Sequence, residues 1–350
     1  MHYPSLAFAP IFRHILAAGR IDPVTFRDII VLTKTFHSSG DAIADRRAGY
    51  AKLLAEGGDF VAAADLISQA LELTPEWVAG WDLLGGYHEK AGNLSGAISA
   101  WRHLEALDDD GTFGAKLKLA VHGAGAADAG TAISYVEALF DQYAPKFESA
   151  LVDKLGYRVP ALLNDLLVQV MAETGVLHFT RALDLGCGTG LMGERLRNKV
   201  TVLEGIDLSA AMIAETGRKG LYDRLEKAEL VQFLQRQPGE VDLVTAADVF
   251  IYCGALPPVL AAVVPVIRPG GFLTFSLEAH DGDEPVFLRP SLRYAHGIEA
   301  ARQAVTKAGL EILRFETAVL RQDRGAPIEG LLIVARKPEQ AEGRDEHHPL

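Results

Sequence analysis

The stretch Arg181-Ala182-Leu183-Asp184-Leu185-Gly186-Cys187-Gly188-Thr189-Gly190 decides how the rest of this chain is read. An apolar run carries an aspartate near its end, and glycines follow at alternate positions. A helical pattern then opens at Leu191 and Met192 and continues through Leu196 and Lys199. The pattern predicts a strand, a tight glycine loop and a helix. Glycine tolerates positive φ and has no Cβ, so a ligand can approach this backbone closely. Beyond the loop, a helix N-terminus would offer free N–H groups to an anionic group. Two readings fit. Gly188-Thr189-Gly190-Leu191-Met192-Gly193 matches G-x-G-x-x-G, the dinucleotide fingerprint. The aspartate two residues before the first glycine points elsewhere, because a dinucleotide fold usually has a wholly apolar strand there.

The full run Asp184-x-Gly186-x-Gly188-x-Gly190 resembles motif I of class I S-adenosylmethionine (SAM) methyltransferases. SAM carries an α-ammonium, which gives that carboxylate a partner; a nicotinamide cofactor offers none at that place. Further along, Val200–Asp207 reads as a second strand, and Gly205-Ile206-Asp207-Leu208-Ser209 resembles the family's G-x-D-x-S, with Met212 following. An acid at this strand end can accept hydrogen bonds from both ribose hydroxyls, although aspartate is also favoured as a helix N-cap. Glu229, after a weak third strand, resembles by position the acid that receives the adenine amino group. Val241–Ala247 is nearly continuous in apolar residues, as a buried parallel strand should be, and leads into Asp248 and Tyr252. Ligands bind beyond the carboxyl ends of such strands, so these two residues are expected to face the transferred methyl or its acceptor. The segment is not (Asp/Asn/Ser)-Pro-Pro-(Tyr/Phe), the signature of nucleic-acid amino methyltransferases.

A helix over Leu256–Ile267 is expected to stop at Pro269-Gly270-Gly271, with a fifth strand over Phe272–Ser276. A further helix over Ile298–Ala308 and two terminal strands, Glu311–Leu320 and Glu329–Val334, follow. Such a terminal hairpin fits the family sheet, whose last strand is antiparallel. The loop Glu278–Gly297 is dense in polar groups. His296, ahead of His280, is the expected general base if the acceptor needs one. Arg289 and Arg293 are candidate clamps for a carboxylate or phosphate. Upstream, Phe140-Asp141-x-Tyr143-Ala144-x-x-Phe147 resembles the lid segment that precedes motif I in many small-molecule methyltransferases, which implies that Tyr143 lines the site.

The N-terminal third has its own logic. Gly58 pairs with Gly92, Asp59 with Asn93, Ala63 with Ala97 and Ile67 with Trp101, a 34-residue period. Trp81, Leu84 and Gly85 match the W-x-x-L-G opening of a tetratricopeptide repeat. Residues 44–107 therefore resemble two such repeats, with flanking helices expected over 23–37 and 113–121. They imply a protein-interaction surface or a packing module. The expected organisation is a helical module over 1–121, a linker over 122–134, a methyltransferase domain over 135–336 and a disordered tail over 337–350.

Composition narrows the function. The 350 residues carry a formal net charge of −12, which argues against a broad nucleic-acid surface. Two cysteines, Cys187 and Cys253, have no metal-ligand spacing and fit a reducing compartment. No apolar run approaches a membrane span. Met1–Ile21 lacks acids, faintly like a transit peptide, yet is expected as a cytosolic N-terminal helix around Ala9–Ala18. The resemblance as a whole is to bacterial proteins that fuse tetratricopeptide repeats to a Rossmann-like α/β domain. It implies a cytoplasmic enzyme that methylates a small molecule with SAM and uses no metal. Asp184, Gly186, Gly188, Gly190, Asp207, Leu208, Met212, Glu229 and Asp248 are the implied cofactor residues, and Tyr143, Tyr252 and His296 the acceptor side. A nicotinamide-dependent oxidoreductase and an adaptor with a non-catalytic SAM site are the alternatives.

Overall fold

The computed structural model describes residues 37–127, 129–148, 156–237, 239–323 and 325–339. The helix expected around Ala9–Ala18, the one expected over 23–37 apart from His37, and the tail from Gln340 with His347 and His348 lie outside the described residues.

Among the described residues the first module has five helices, each packed on the next: α1 Ala42–Glu56, α2 Phe60–Leu71, α3 Val78–Lys90, α4 Leu94–Leu107 and α5 Ala115–Val121. The sequence period has a structural cause. Gly58 (φ 87°) and Gly92 (φ 76°) turn the chain, and Asp59 and Asn93 cap the next helix through Ala62 N–H and Gly96 N–H. Ala63 and Ala97 are fully buried at helix crossings. At Gly85 a Cβ would sit 2.2 Å from Trp101 Nε1, so only glycine lets α3 and α4 approach this closely. A buried Lys118–Asp82 ion pair ties α5 to α3.

The expected linker is partly helical. α6 runs Ala129–Tyr143, because Ala132 and Val136 have an apolar surface to bury against. A short 3-10 turn over Ala144–Lys146, with Pro145, ends it.

α7, Val159–Thr174, leads into the sheet. β1 Phe179–Leu185, β2 Val200–Asp207, β3 Arg224–Lys227, β4 Val241–Ala246 and β5 Ile267–His280 pair in parallel in the order β3-β2-β1-β4-β5. Between them lie α8 Leu191–Leu196, α9 Ala210–Lys219, α10 Leu230–Gln235 and α11 Leu256–Val263. Past β5 come a hairpin of β6 Val286–Leu288 and β7 Tyr294–Gly297, then α12 Ile298–Lys307 and the pair β8 Glu311–Asp323 and β9 Ala326–Arg336. β9 inserts antiparallel between β5 and β8, as the resemblance implied. Apolar clusters cover both faces of the sheet. One is built on Val244, Phe275 and α11; the other is built on Leu243, Phe272 and α7.

Two local expectations are corrected. The helix after β4 ends at Val263, and Pro269-Gly270-Gly271 lies within β5, where a register shift against β4 between Val241 and Leu243 absorbs it. The segment Glu278–Gly297 is not simply a loop. β7 continues the sheet by pairing in parallel with the end of β5, Glu278 opposite Ala295.

Candidate active site

A cavity of about 460 Å³ opens beyond the carboxyl ends of β1, β2 and β4, at the point where strand order reverses and ligands of open α/β sheets bind. The first half of its wall is the glycine loop. Gly186 and Gly188 line it with φ of 59° and 55°. The loop is held by Cys187 N–H donating to Ile206 O (2.8 Å) and Gly188 N–H donating to Asp207 Oδ2 (2.9 Å). Asp207 Oδ1 accepts from Ser209 N–H (2.8 Å). Burial pushes the Asp207 carboxyl up to about 6, against the pull of these backbone donors. The helix cap here is Ser209, whose Oγ accepts from Met212 N–H, so Asp207 is left to the cavity. Leu208, Met212 and Glu229 complete this half. Glu229 caps α10 through Val231 N–H and Gln232 N–H while one edge stays on the wall.

Asp184 and Gly190 are placed differently from the expectation. Asp184 is 1% exposed and does not line the cavity. Its oxygens accept from Tyr222 OH (2.6 Å) and Thr245 Oγ1 (2.6 Å), and burial raises it to about 6. It therefore braces the strand end from behind the wall, one layer back from where the ammonium or an adjoining water was expected to meet it. Gly190 caps α8 at φ 88° outside the wall, and α8 has only six residues.

The other half of the wall is aromatic. Phe140 from α6, with Phe147, Tyr157, Tyr252 and Tyr294, faces the same space. Phe140 meets Tyr252 edge to face at 5.6 Å. Tyr143 belongs to the same stripe but points into the core at 1% exposure, 5.8 Å from the Phe147 ring; its neighbours at helical spacing take the place expected for it. α6 is fastened to the cofactor half by Asp141, which accepts from Ser209 Oγ (2.6 Å) and Ala211 N–H (3.2 Å).

Asp248 lies at the base of the cavity with φ 57°, uncommon for a residue with a Cβ. Its N–H donates to Ser276 Oγ (2.8 Å), Oδ1 accepts from that hydroxyl (3.0 Å), and Oδ2 accepts from Arg321 (2.7 Å). Arg321, absent from the sequence-level candidates, is 2% exposed and lines the cavity. It also contacts Glu278, which pairs with Arg293 (2.9 Å) and Arg289 (3.2 Å). A register shift between Val319 and Arg321 puts Leu320 and Arg321 inside in succession, which is how a strand bulge re-aims a side chain.

His296 does not join this group. It sits on β7 at 2% exposure, outside the cavity wall, with neither ring nitrogen hydrogen-bonded among the described residues. Burial and nearby His280 push it down to about 4. Its ring is therefore not on the wall where a base for the cavity was expected. Arg289 is likewise off the wall and donates to Ala279 O (2.6 Å). Among the described residues no cluster of side chains suits a metal ion, and no helix is long and apolar enough to cross a membrane.

Residues 183–273 match the family model described as "Methyltransferase domain". "Methyltransferase-like protein 27" of Homo sapiens is 29% identical over 177 residues, 49% of this chain and 66% of that protein. "Malonyl-[acyl-carrier protein] O-methyltransferase" of Enterobacter lignolyticus (strain SCF1) is 30% identical over 112 residues, 32% of this chain and 44% of that protein. The chain thus spans less than two thirds of the length of these relatives. A solved structure of magnesium protoporphyrin IX methyltransferase from Synechocystis PCC 6803 with bound SAH shares 18% identity at a TM-score of 0.46, covering 59% of this chain and 99% of that one. The family match thus covers the segment that carries the glycine loop, Asp207, Glu229 and Asp248.

Proposed function

We propose that this chain transfers a methyl group from SAM to a small-molecule acceptor and releases S-adenosylhomocysteine. One observation carries the reading: a single cavity joins the Gly186–Asp207 cradle to an aromatic chamber at the ends of β1, β2 and β4. The cradle fits the cofactor. Asp207 spends its protein hydrogen bonds on two backbone N–H groups, leaving acceptor capacity for ribose hydroxyls. A Cβ at Gly188 would meet nothing within 4 Å, so the backbone there is open to a close ligand.

When bound, SAM supplies an activated methyl on a sulfonium. The protein aligns and dries the site. Asp207 and Glu229 hold the nucleoside end, and the loop backbone of Gly186 and Gly188 borders the methionine end. Phe140, Phe147, Tyr157 and Tyr252 exclude water and fix the acceptor in line. Tyr252 and Tyr157 stay protonated, because burial raises both, and each keeps a hydroxyl for hydrogen bonding.

The five helices before the domain fit a tetratricopeptide-like pair with a flanking helix. We assign them support of the acceptor wall together with a protein-facing surface. The free cysteines Cys187 and Cys253 fit a cytoplasmic setting.

A thermal-shift titration with S-adenosylhomocysteine, with NADH as control, tests the reading on wild type and Asp207→Ala. A ligand at 100 times its dissociation constant adds about 2.7 kcal/mol to the folded state. A shift with S-adenosylhomocysteine that shrinks in the variant supports the assignment. A shift with NADH alone sinks it, and no shift with either favours the adaptor.

A further inference from the structure

The chamber beside the methyl donor has an unusual division of labour. Its walls are aromatic or aliphatic: Phe140, Phe147, Tyr157, Tyr252, Tyr294 and Ile133. Its charged side chains gather at one place, around Asp248, Arg293 and Arg321. Each is already engaged. Arg321 holds Asp248 and Glu278; Arg293 holds Glu278 and Asp323 (3.3 Å); Arg289 holds Glu278. Three guanidiniums face three carboxylates, and Glu278, Arg293 and Arg321 are at most 2% exposed. A clamp for an anionic substrate leaves a cation in surplus, and among the described residues this network has none. An added carboxylate or phosphate would be a buried charge with no partner of its own, which is costly in apolar surroundings. The clamp expected of Arg289 and Arg293 is thus spent within the protein. What the network still offers is hydrogen bonding. Arg293 hydrogen-bonds the Tyr252 oxygen, and the Tyr252 O–H remains a donor.

We infer that the acceptor is an uncharged aromatic or hydrophobic small molecule bearing a nucleophilic heteroatom, and that the self-neutralised arginine–carboxylate network discriminates against acidic acceptors. This inference rests on the methyltransferase reading. It makes Asp248 a specificity-determining residue: removing its charge leaves the network with one uncompensated cation.

The test uses the full chain saturated with S-adenosylhomocysteine, titrated calorimetrically with 2-naphthol and with 2-naphthoate at pH 7.5. The expected result is naphthol binding at least about tenfold tighter than naphthoate. In Asp248→Asn, of nearly equal size, naphthoate gains and the gap closes by about tenfold. Binding of S-adenosylhomocysteine to the variant reports that it is folded. Naphthoate binding wild type as tightly as naphthol overturns the inference, as does neither arene binding, or a gap that Asp248→Asn leaves unchanged. Failure of wild type to bind S-adenosylhomocysteine is a separate result, and it removes the methyl-donor reading underneath.

Discussion

Arg321, on the penultimate strand, donates from Nη1 to Asp248 Oδ2 at 2.7 Å, across 73 residues of sequence, and so joins the terminal hairpin to the end of β4. Both partners are nearly sealed from solvent, with side-chain exposures of 2% and 12%. A buried pair of this kind is worth little against an apolar substitute, but losing one partner is expensive. Arg321→Met is therefore expected to cost roughly 3–5 kcal/mol in urea unfolding, because Asp248 and Glu278 are left facing each other. A cost under about 1 kcal/mol, the range of an exposed pair, would show that the network is solvated.

Asp207 supplies a pH signature for cofactor binding. Its ligand-free carboxyl is raised to about 6, chiefly by burial. Ribose hydroxyls donate to the ionised form, so binding requires the proton to leave. The affinity for S-adenosylhomocysteine should hold above pH 6 and fall below it, approaching about tenfold per unit. Calorimetry from pH 7.5 to 5 checks the slope. Asp207→Asn should bind weakly at every pH and lose the slope, which separates Asp207 from Asp184, raised to about the same value.

His296 makes folding stability itself depend on pH. Its folded value is about 4, below the ordinary 6.5, because burial disfavours the imidazolium. The unfolded chain binds more protons between those values. The His296 contribution is intact above pH 6.5 and is lost as pH falls toward 4, up to about 3 kcal/mol. Against His296→Gln, wild type should lose stability across this window. Parallel curves would mean that the ring protonates without penalty.

Leu117, on α5, is 1% exposed and packs with Ala132 of α6 and Leu292 of the β6–β7 turn; Tyr135 and Tyr294 flank this cluster. Leu117→Ala is expected to cost roughly 2–5 kcal/mol and to leave the S-adenosylhomocysteine dissociation constant unchanged. Lost cofactor affinity in a folded Leu117→Ala protein would contradict the division between the two halves of the cavity.

At Gly193 a Cβ would fall 2.4 Å from the Tyr222 ring and hydroxyl. Tyr222 is the residue that donates to Asp184. Gly193→Ala should therefore cost roughly 1–3 kcal/mol by overpacking. Tyr222→Leu in the same chain should recover part of the loss, whereas no recovery would place the strain elsewhere.

Much of this was legible in sequence because it is local. The glycine loop, Asp207 with its following helix, the near-continuous β4 and the terminal hairpin are contiguous signals with a short physical cause. The differences in placement share another cause. Asp184 reads from sequence as a wall residue, and only packing brings Tyr222 and Thr245, 38 and 61 positions away, against its oxygens behind the wall. Tyr143 and Phe140 share one helical stripe, and only packing decides which ring meets the cavity. His296 sits in a polar-rich stretch, but pairing of β7 with β5 draws it inside. Arg321 carried one readable mark, an arginine directly after the buried Leu320 in an apolar-rich strand. Its meaning depends on a bulge that alternation alone does not reveal.

The acceptor chamber takes Ile133, Phe140, Phe147 and Tyr157 from before residue 183, and Arg293, Tyr294 and Arg321 from after residue 273. The matched domain holds the donor half and the rest of the floor. On the proposed function, the segments outside residues 183–273 therefore share in setting which molecule is methylated.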